Sequence, residues 1–171
     1  YVDSLQQVIL AITQTQDMDK TPLYKLPIEV DVYAGGMITR HSIVCDSIRQ
    51  VFVLPSEVKP DLFNVDAEKM LLCSKKDYKT KEAWVFMYRN APLYLDRFEA
   101  IVQLGTFVQD AEVRAVLQEA LNDKHWKIRL VSTQNLREAS KQSGSTVKDR
   151  LIELATNDTK ASVRTGAIRA L

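Results

Sequence analysis

Every proline in this chain, Pro22, Pro27, Pro55, Pro60 and Pro92, falls in the first 92 of its 171 residues. A proline ring fixes φ and removes a backbone donor, so it interrupts helices and is tolerated at turns and strand ends. The asymmetry predicts an α+β chain in two segments, with strands and turns first and helices after. The expected division is an antiparallel β-sandwich over 1–80, a linker over 81–91 and an all-α repeat array over 92–171, truncated at its C-terminal end.

The hydrophobic pattern agrees with the proline split. Val8, Leu10 and Ile12 alternate, as do Ile28, Val30 and Val32 with Glu29 and Asp31 between them, which is the period of a strand with one wet face. Gly35 and Gly36 stand between Ile28–Tyr33 and Thr39–Cys45, where a tight hairpin needs positive φ. The run 50–54 ends at Pro55, and two short runs follow at Leu62–Val65 and Met70–Cys73. Six or seven short strands are expected, packed as a small sandwich with a Val, Ile, Leu and Phe core.

After Pro92 the period becomes 3.6. Tyr94, Phe98, Ile101 and Val102 form one stripe, and Val113, Val116, Leu117, Ala120 and Leu121 form another. Val147, Leu151, Leu154 and Ala155 repeat the stripe, as do Val163, Ala167, Ala170 and Leu171. Asp110 before Glu112, and Thr146 before Asp149, read as helix starts, with a loop at Ser143, Gly144 and Ser145. Five helices follow Pro92 on this reading. They also repeat: Asn122–Asp123 recurs as Asn157–Asp158 and Arg129 as Arg164 at an offset of 35, while Arg97 and Leu104 precede Arg129 and Leu136 by 32. An apolar–Arg pair one turn into a helix that follows an Asn-Asp cap is the signature of paired-helix HEAT-type repeats, at a period shorter than the roughly 40–47 residues usual for them.

Composition excludes several functions. Twenty-three Lys and Arg against 22 Asp and Glu give a net charge of +1, evenly spread over both halves, which argues against a nucleic-acid surface. A chain of this length buries roughly 70% of its unfolded surface and needs no metal to form a core. Its sequence has no H-E-x-x-H, G-x-S-x-G, Walker, G-x-G-x-x-G or C-x-x-C motif. His41 and His125 read as surface or capping residues, because zinc needs several converging ligands. Asp17 and Asp19 lack the Gly and distal Glu of a calcium loop and read as a solvated turn. Lys75, Lys76, Lys79 and Lys81 read as a solvated linker, and Trp84, Phe86 and Met87 as buried at the junction. Arg97, Arg129 and Arg164 are expected to pair with acids at helix N-termini, drawn from Asp96, Asp123 and Asp158. No catalytic, cofactor-binding or metal-binding residue is assigned.

The chain begins at Tyr1 without a signal peptide, contains no apolar run long enough for a membrane span, and closes in an amphipathic pattern without a breaker. These ends lead to the expectation of a piece of a longer protein. Its last stripe is expected to expose Val163, Ala167 and Leu171, giving self-association through that end or a frayed last helix. Cys45 and Cys73 fit either a bridge in an oxidising compartment or two buried thiols, so cytoplasmic and extracytoplasmic settings both stand.

The order of elements resembles one family. The segments Thr13–Gln16, Leu26–Tyr33, 51–55 and Pro60–Asp66 resemble the small β-sandwich that follows the catalytic domain in aminopeptidase N type zinc metallopeptidases. Asn90–Ala100 resembles the point where that sandwich hands over to the C-terminal helical domain. In that family the zinc-binding helix and the Gly-x-Met-x-Asn strand lie elsewhere, and Gly35, Gly36, Met37, Ile38 and Thr39 lack the Asn and acid of that strand. The resemblance implies a non-catalytic C-terminal region that supports the parent's own catalytic domain and restricts which peptide substrates enter, with zinc expected in the parent and none in this chain. The alternative is a protein-protein interaction module of a scaffold that has no zinc site.

Overall fold

In a computed structural model, residues 1–140 and 145–171 are described, with side-chain environments for 1–137 and 147–171. The chain divides into two compact units, Tyr1–Tyr78 and Lys79–Leu171.

The first unit holds two antiparallel sheets. β1 (Gln7–Thr13) pairs with β4 (Arg49–Pro55), and β2 (Leu26–Ala34) lies between β3 (Met37–Cys45) and β5 (Leu62–Val65). Alternation puts Val8 and Leu54 of one sheet against Ile28, Val30 and Val32 of the other, with Cys45 in the same buried cluster. Each such aliphatic side chain contributes about 1.5–3 kcal/mol by leaving water. The β2–β3 hairpin turns through Gly35 and Gly36 at φ 56° and 77°, the left-handed pair a two-residue loop demands. Cys45 is buried and Cys73 exposed, and both are free thiols.

Two expectations for this unit change. The face of β2 opposite the core is not simply wet: Asp31 is buried, and Arg40, directly across the ladder on β3, holds it through two bonds of 2.7 and 2.9 Å. Arg40 also pairs with Glu68. The second change is the strand count, which is five among the described residues, because Met70–Cys73 is not a strand. Asp66 takes a positive φ of 57°, and its carboxylate accepts the N–H groups of Met70 and Leu71 at 2.9 and 3.2 Å. Those donors are thereby diverted from a sheet.

The second unit is helical: α1 (Lys81–Asn90), α2 (Tyr94–Leu104), α3 (Ala111–Ala120), α4 (Trp126–Ser140), α5 (Ser145–Asn157) and α6 (Ala161–Ala170). The expected linker 81–91 is therefore mostly a helix. Thr80 caps it by accepting the Ala83 N–H, and Trp84, Val85, Met87 and Tyr88 supply a buried face. Pro92 divides two helices rather than sandwich from helices, since Ala91 before it is extended as pre-proline sterics require. Among the described residues five α-helices follow Pro92, as expected, and Asp110 caps α3 through the N–H groups of Glu112 and Val113. In the expected loop, Ser143 and Gly144 lie outside the described residues; Ser145 opens α5, and the side chain of Thr146 is outside them too.

The helices associate as α1–α2, α3–α4 and α5–α6, with α6 packed against α4 and α5. Val163 and Ala167, expected on an exposed end, are fully buried by this packing, whereas Leu171 is exposed. Val102 also falls outside its stripe, and Leu104 takes the buried place. No described helix is long and apolar enough to cross a membrane. Close approach of α6 to α4 depends on Gly166, where a Cβ would lie 2.6 Å from Thr133 Oγ1 and 2.7 Å from Leu130 Cδ1. Gly166→Val is expected to lower stability by about 1–3 kcal/mol through overpacking, read as a lower urea midpoint with an unchanged slope.

Candidate functional site in the helical repeats

The chemistry-bearing residues singled out from the sequence separate into isolated capping groups and one organised array. His125 caps α4: its Nδ1 accepts the Lys127 N–H at 3.3 Å, and its ring packs at a tilt against Tyr94 with centroids 3.7 Å apart. His41 sits on β3 opposite Val30. Asp17 closes a turn by accepting the Asp19 N–H at 3.1 Å and pairs with exposed Lys20. Among the described residues no group of three or more His, Cys, Asp or Glu could hold a metal ion.

The four lysines are held rather than merely solvated, and they divide between the two units. Lys75 donates to the Val65 carbonyl at 3.2 Å, and Lys76 lies over the Tyr78 ring. In the second unit Lys79 lies over Trp84, and Lys81 bonds the capping carboxylate of Asp110 at 2.8 Å. That bond comes first among the causes that hold the Asp110 carboxyl below the ordinary carboxylate range. Trp84 and Met87 are buried within α1, with Phe86 half-buried.

The organised array is formed by Arg97, Arg129 and Arg164, at equivalent places in the second helix of each pair. Arg97 Nε donates to Asp123 Oδ2 at 3.1 Å; Asp123 lies in the loop ahead of α4. One repeat on, Arg129 grips Asp158 ahead of α6 with two bonds of 2.6 and 2.9 Å. Each arginine also reaches backward. Arg129 Nη1 donates to the Asp123 carbonyl and Arg164 Nη1 to the Asp158 carbonyl, both at 2.8 Å, while Arg97 Nη1 reaches the Pro92 carbonyl at 3.3 Å. The aspartates fix their own loops as well, accepting the N–H groups of His125 at 2.7 Å and Lys160 at 2.9 Å. Hydrogen bonds therefore run unbroken from Arg97 through Asp123, Arg129 and Asp158 to Arg164. The sequence places the arginines and predicts acidic partners near helix starts. It does not show that each pair runs forward into the next repeat, because packing of successive pairs decides which loop comes within reach.

The rung between the second and third pairs is well shielded, its Arg129 and Asp158 side chains being 14% and 3% exposed. Hydrogen bonding from Arg129, aided by the Lys160 N–H, holds the Asp158 carboxyl below its usual range against the opposing effect of burial. Burial, with Asp123 and Glu119 nearby, pushes the Tyr88 phenol up to about 12. A lowered native pKa means that the carboxylate's contribution is complete above the unfolded value of about 3.9 and is lost as pH falls through the native value. Asp158→Asn is expected to cost roughly 1.5–3 kcal/mol at pH 7, the range for hydrogen bonds to charged groups. Urea titrations from pH 7 down to pH 3 should show this gap closing below about pH 4.

Comparison with known proteins adds three findings. A family model described as HEAT repeats matches residues 83–171, just over half of the chain. No curated protein matches the sequence. Among solved structures, the fold is similar to that of Legionella pneumophila aminopeptidase A, crystallised in complex with aspartic acid, with a TM-score of 0.64 and 11% identity over 99% of this chain. The chain spans 25% of the length of that protein.

Proposed function

The chain belongs to the HEAT-repeat family, and from that premise we propose that it is a non-catalytic region of an aminopeptidase-type zinc hydrolase, in which the sheets and repeats support the catalytic part and narrow the path of peptides to it. One observation carries this reading: the likeness to Legionella aminopeptidase A extends over 99% of the chain, through the sheet unit as well as the repeats. HEAT repeats alone would suit many binding roles, because such arrays offer extended surfaces for partners. A β-sheet unit directly ahead of them is a more particular combination.

Zinc takes three or four converging His, Cys, Asp or Glu ligands, and no such group exists among the described residues. Metal-activated water is the chemistry that the catalytic part would supply. The array of Arg–Asp rungs suits a supporting role, since fixed links between successive helix pairs make a stiff wall.

The decisive experiment uses the whole polypeptide that carries these residues. Purified from its source, it is expected to contain about one zinc per chain, the single-metal stoichiometry of a site with three protein ligands and a water, and to hydrolyse aminoacyl-4-nitroanilides. Residues 1–171 alone are expected to hydrolyse none. A whole polypeptide without zinc and without this activity overturns the peptidase reading and leaves a scaffold-borne interaction module.

A further inference from the structure

In an array of repeats, positions that recur with the same residue type serve the stack, and a local departure from the pattern asks for another cause. One such departure lies between α4 and α6. The groove there encloses about 410 Å³, within the roughly 300–1,000 Å³ of small-molecule sites. Buried Thr133 forms its floor beneath Gly166, with the Thr133 hydroxyl donating to the Leu130 carbonyl at 2.7 Å. The polar groups open to a ligand stand on the walls. Gln134 and Arg137 come from α4 and Ser162, Thr165 and Arg169 from α6, all five exposed. Spacings of three, four and seven residues put them on one face of each helix. Among the described residues no Asp or Glu lines the groove.

The same positions one repeat earlier are mostly apolar. Val102 and Gly105 of α2 stand where Gln134 and Arg137 stand on α4, at the offset of 32 that relates Arg97 to Arg129. Leu130, Val131 and Gln134 stand where Thr165, Gly166 and Arg169 stand on α6, at the offset of 35. Lys127 is the one cation in this earlier set, and it lies over the Trp126 ring. Packing of successive helices therefore does not call for a pair of arginines. The helix dipole favours a cation in a last turn, where Arg137 and Arg169 are found. It selects no face, however, and α2, α3 and α5 have no basic residue in their last turns. Two like charges in one groove repel each other, and an anion between them turns that repulsion into attraction.

We propose that the α4–α6 groove is a binding site for an oxyanion of the phosphate class, with Arg137 and Arg169 clasping it from the two walls and Gln134, Ser162 and Thr165 donating to its oxygens. The spread of donors selects phosphate over carboxylate. A carboxylate presents two oxygens in one plane and is satisfied by a single guanidinium fork, whereas a tetrahedral phosphoryl group offers oxygens to both walls at once. The site is built from α4 and α6 alone and stands apart from the peptidase reading.

The test titrates the 171-residue chain with sodium phosphate and, separately, with sodium pyrophosphate, near neutral pH and at constant ionic strength, following heats of binding and backbone amide shifts. Saturable binding is expected, with the shifts concentrated in 130–137 and 162–169. Arg137→Gln and Arg169→Gln should each weaken it about tenfold or more, as loss of one charge-assisted contact implies. Lys148→Gln removes an exposed charge outside the groove and should bind as the unaltered chain does. Ligand-free amide spectra that superpose outside the groove assign a loss to the site rather than to unfolding, and the position of the shifts in the unaltered chain decides the location without any variant. Tighter binding of pyrophosphate gives the groove two phosphoryl groups and tighter binding of phosphate gives it one; either upholds the site. Heats that never saturate, shifts elsewhere, or binding that survives both substitutions overturns the proposal. Tighter binding of glutarate than of either phosphate overturns the choice of ligand.

Discussion

The forward-reaching arginine is the interaction on which the helical unit depends. A helix pair in a solenoid buries its apolar stripe only against neighbours, and apolar contact alone leaves the sliding and rotation of one pair over the next weakly specified. A planar guanidinium with donors in a fixed fork supplies what the stripe lacks. Arg129 takes both oxygens of Asp158 and the carbonyl of Asp123, so three bonds of different direction fix the offset between two successive loops. A lysine at this place would satisfy the charge without the angles. Because Asp158 also holds the Lys160 N–H, one carboxylate sets both the start of α6 and its placement on the preceding pair.

The sheet unit solves a comparable problem by register. Asp31 and Arg40 stand directly opposite on β2 and β3, and a slip of one residue would turn every side chain of one strand to the other face. Such a slip would separate this pair and move Val30 and Val32 out of the core together. Burying a carboxylate is costly without a partner, so the pair penalises wrong registers even where its net contribution to stability is small. In both units, then, an arginine–aspartate pair selects one arrangement of elements that apolar packing would leave less sharply defined.

These roles explain what could be read from the sequence. Period two places β1 and β2 and period 3.6 places α2, α3, α5 and α6, because side-chain alternation is a local property; β3 to β5 read as apolar runs between turn residues, and α4 follows from the recurrence of Arg97 at Arg129. Gly35–Gly36 and Asp110 were legible for the same reason, each acting on its own turn. The helix at Lys81–Asn90 is masked in the sequence because Pro92 reads as the end of the strand half, although Trp84, Val85, Met87 and Tyr88 carry a helical face. The run Met70–Cys73 looked like a strand because its composition is apolar, while the deciding contact is the carboxylate of Asp66 four and five residues upstream. Arg40 gave no signal at all, since its partner nine residues away becomes a neighbour only once the hairpin register is set.

The direction of the rungs has a consequence for how the repeats hold together. In an array where each unit touches only its neighbours, total stability is close to a sum of unit terms and interface terms. Here the interface term is not symmetric: a pair contributes an arginine forward and an aspartate backward, so an internal pair makes two rungs and a terminal pair makes one. Loss of an internal aspartate leaves a shielded guanidinium without its acceptor and loosens the loop that starts the next helix. The same loss at the first pair would change nothing, and the sequence has Ala91 there. Specification therefore passes along the chain from α2 to α6, each aspartate fixing both the start of its own second helix and its place on the pair before.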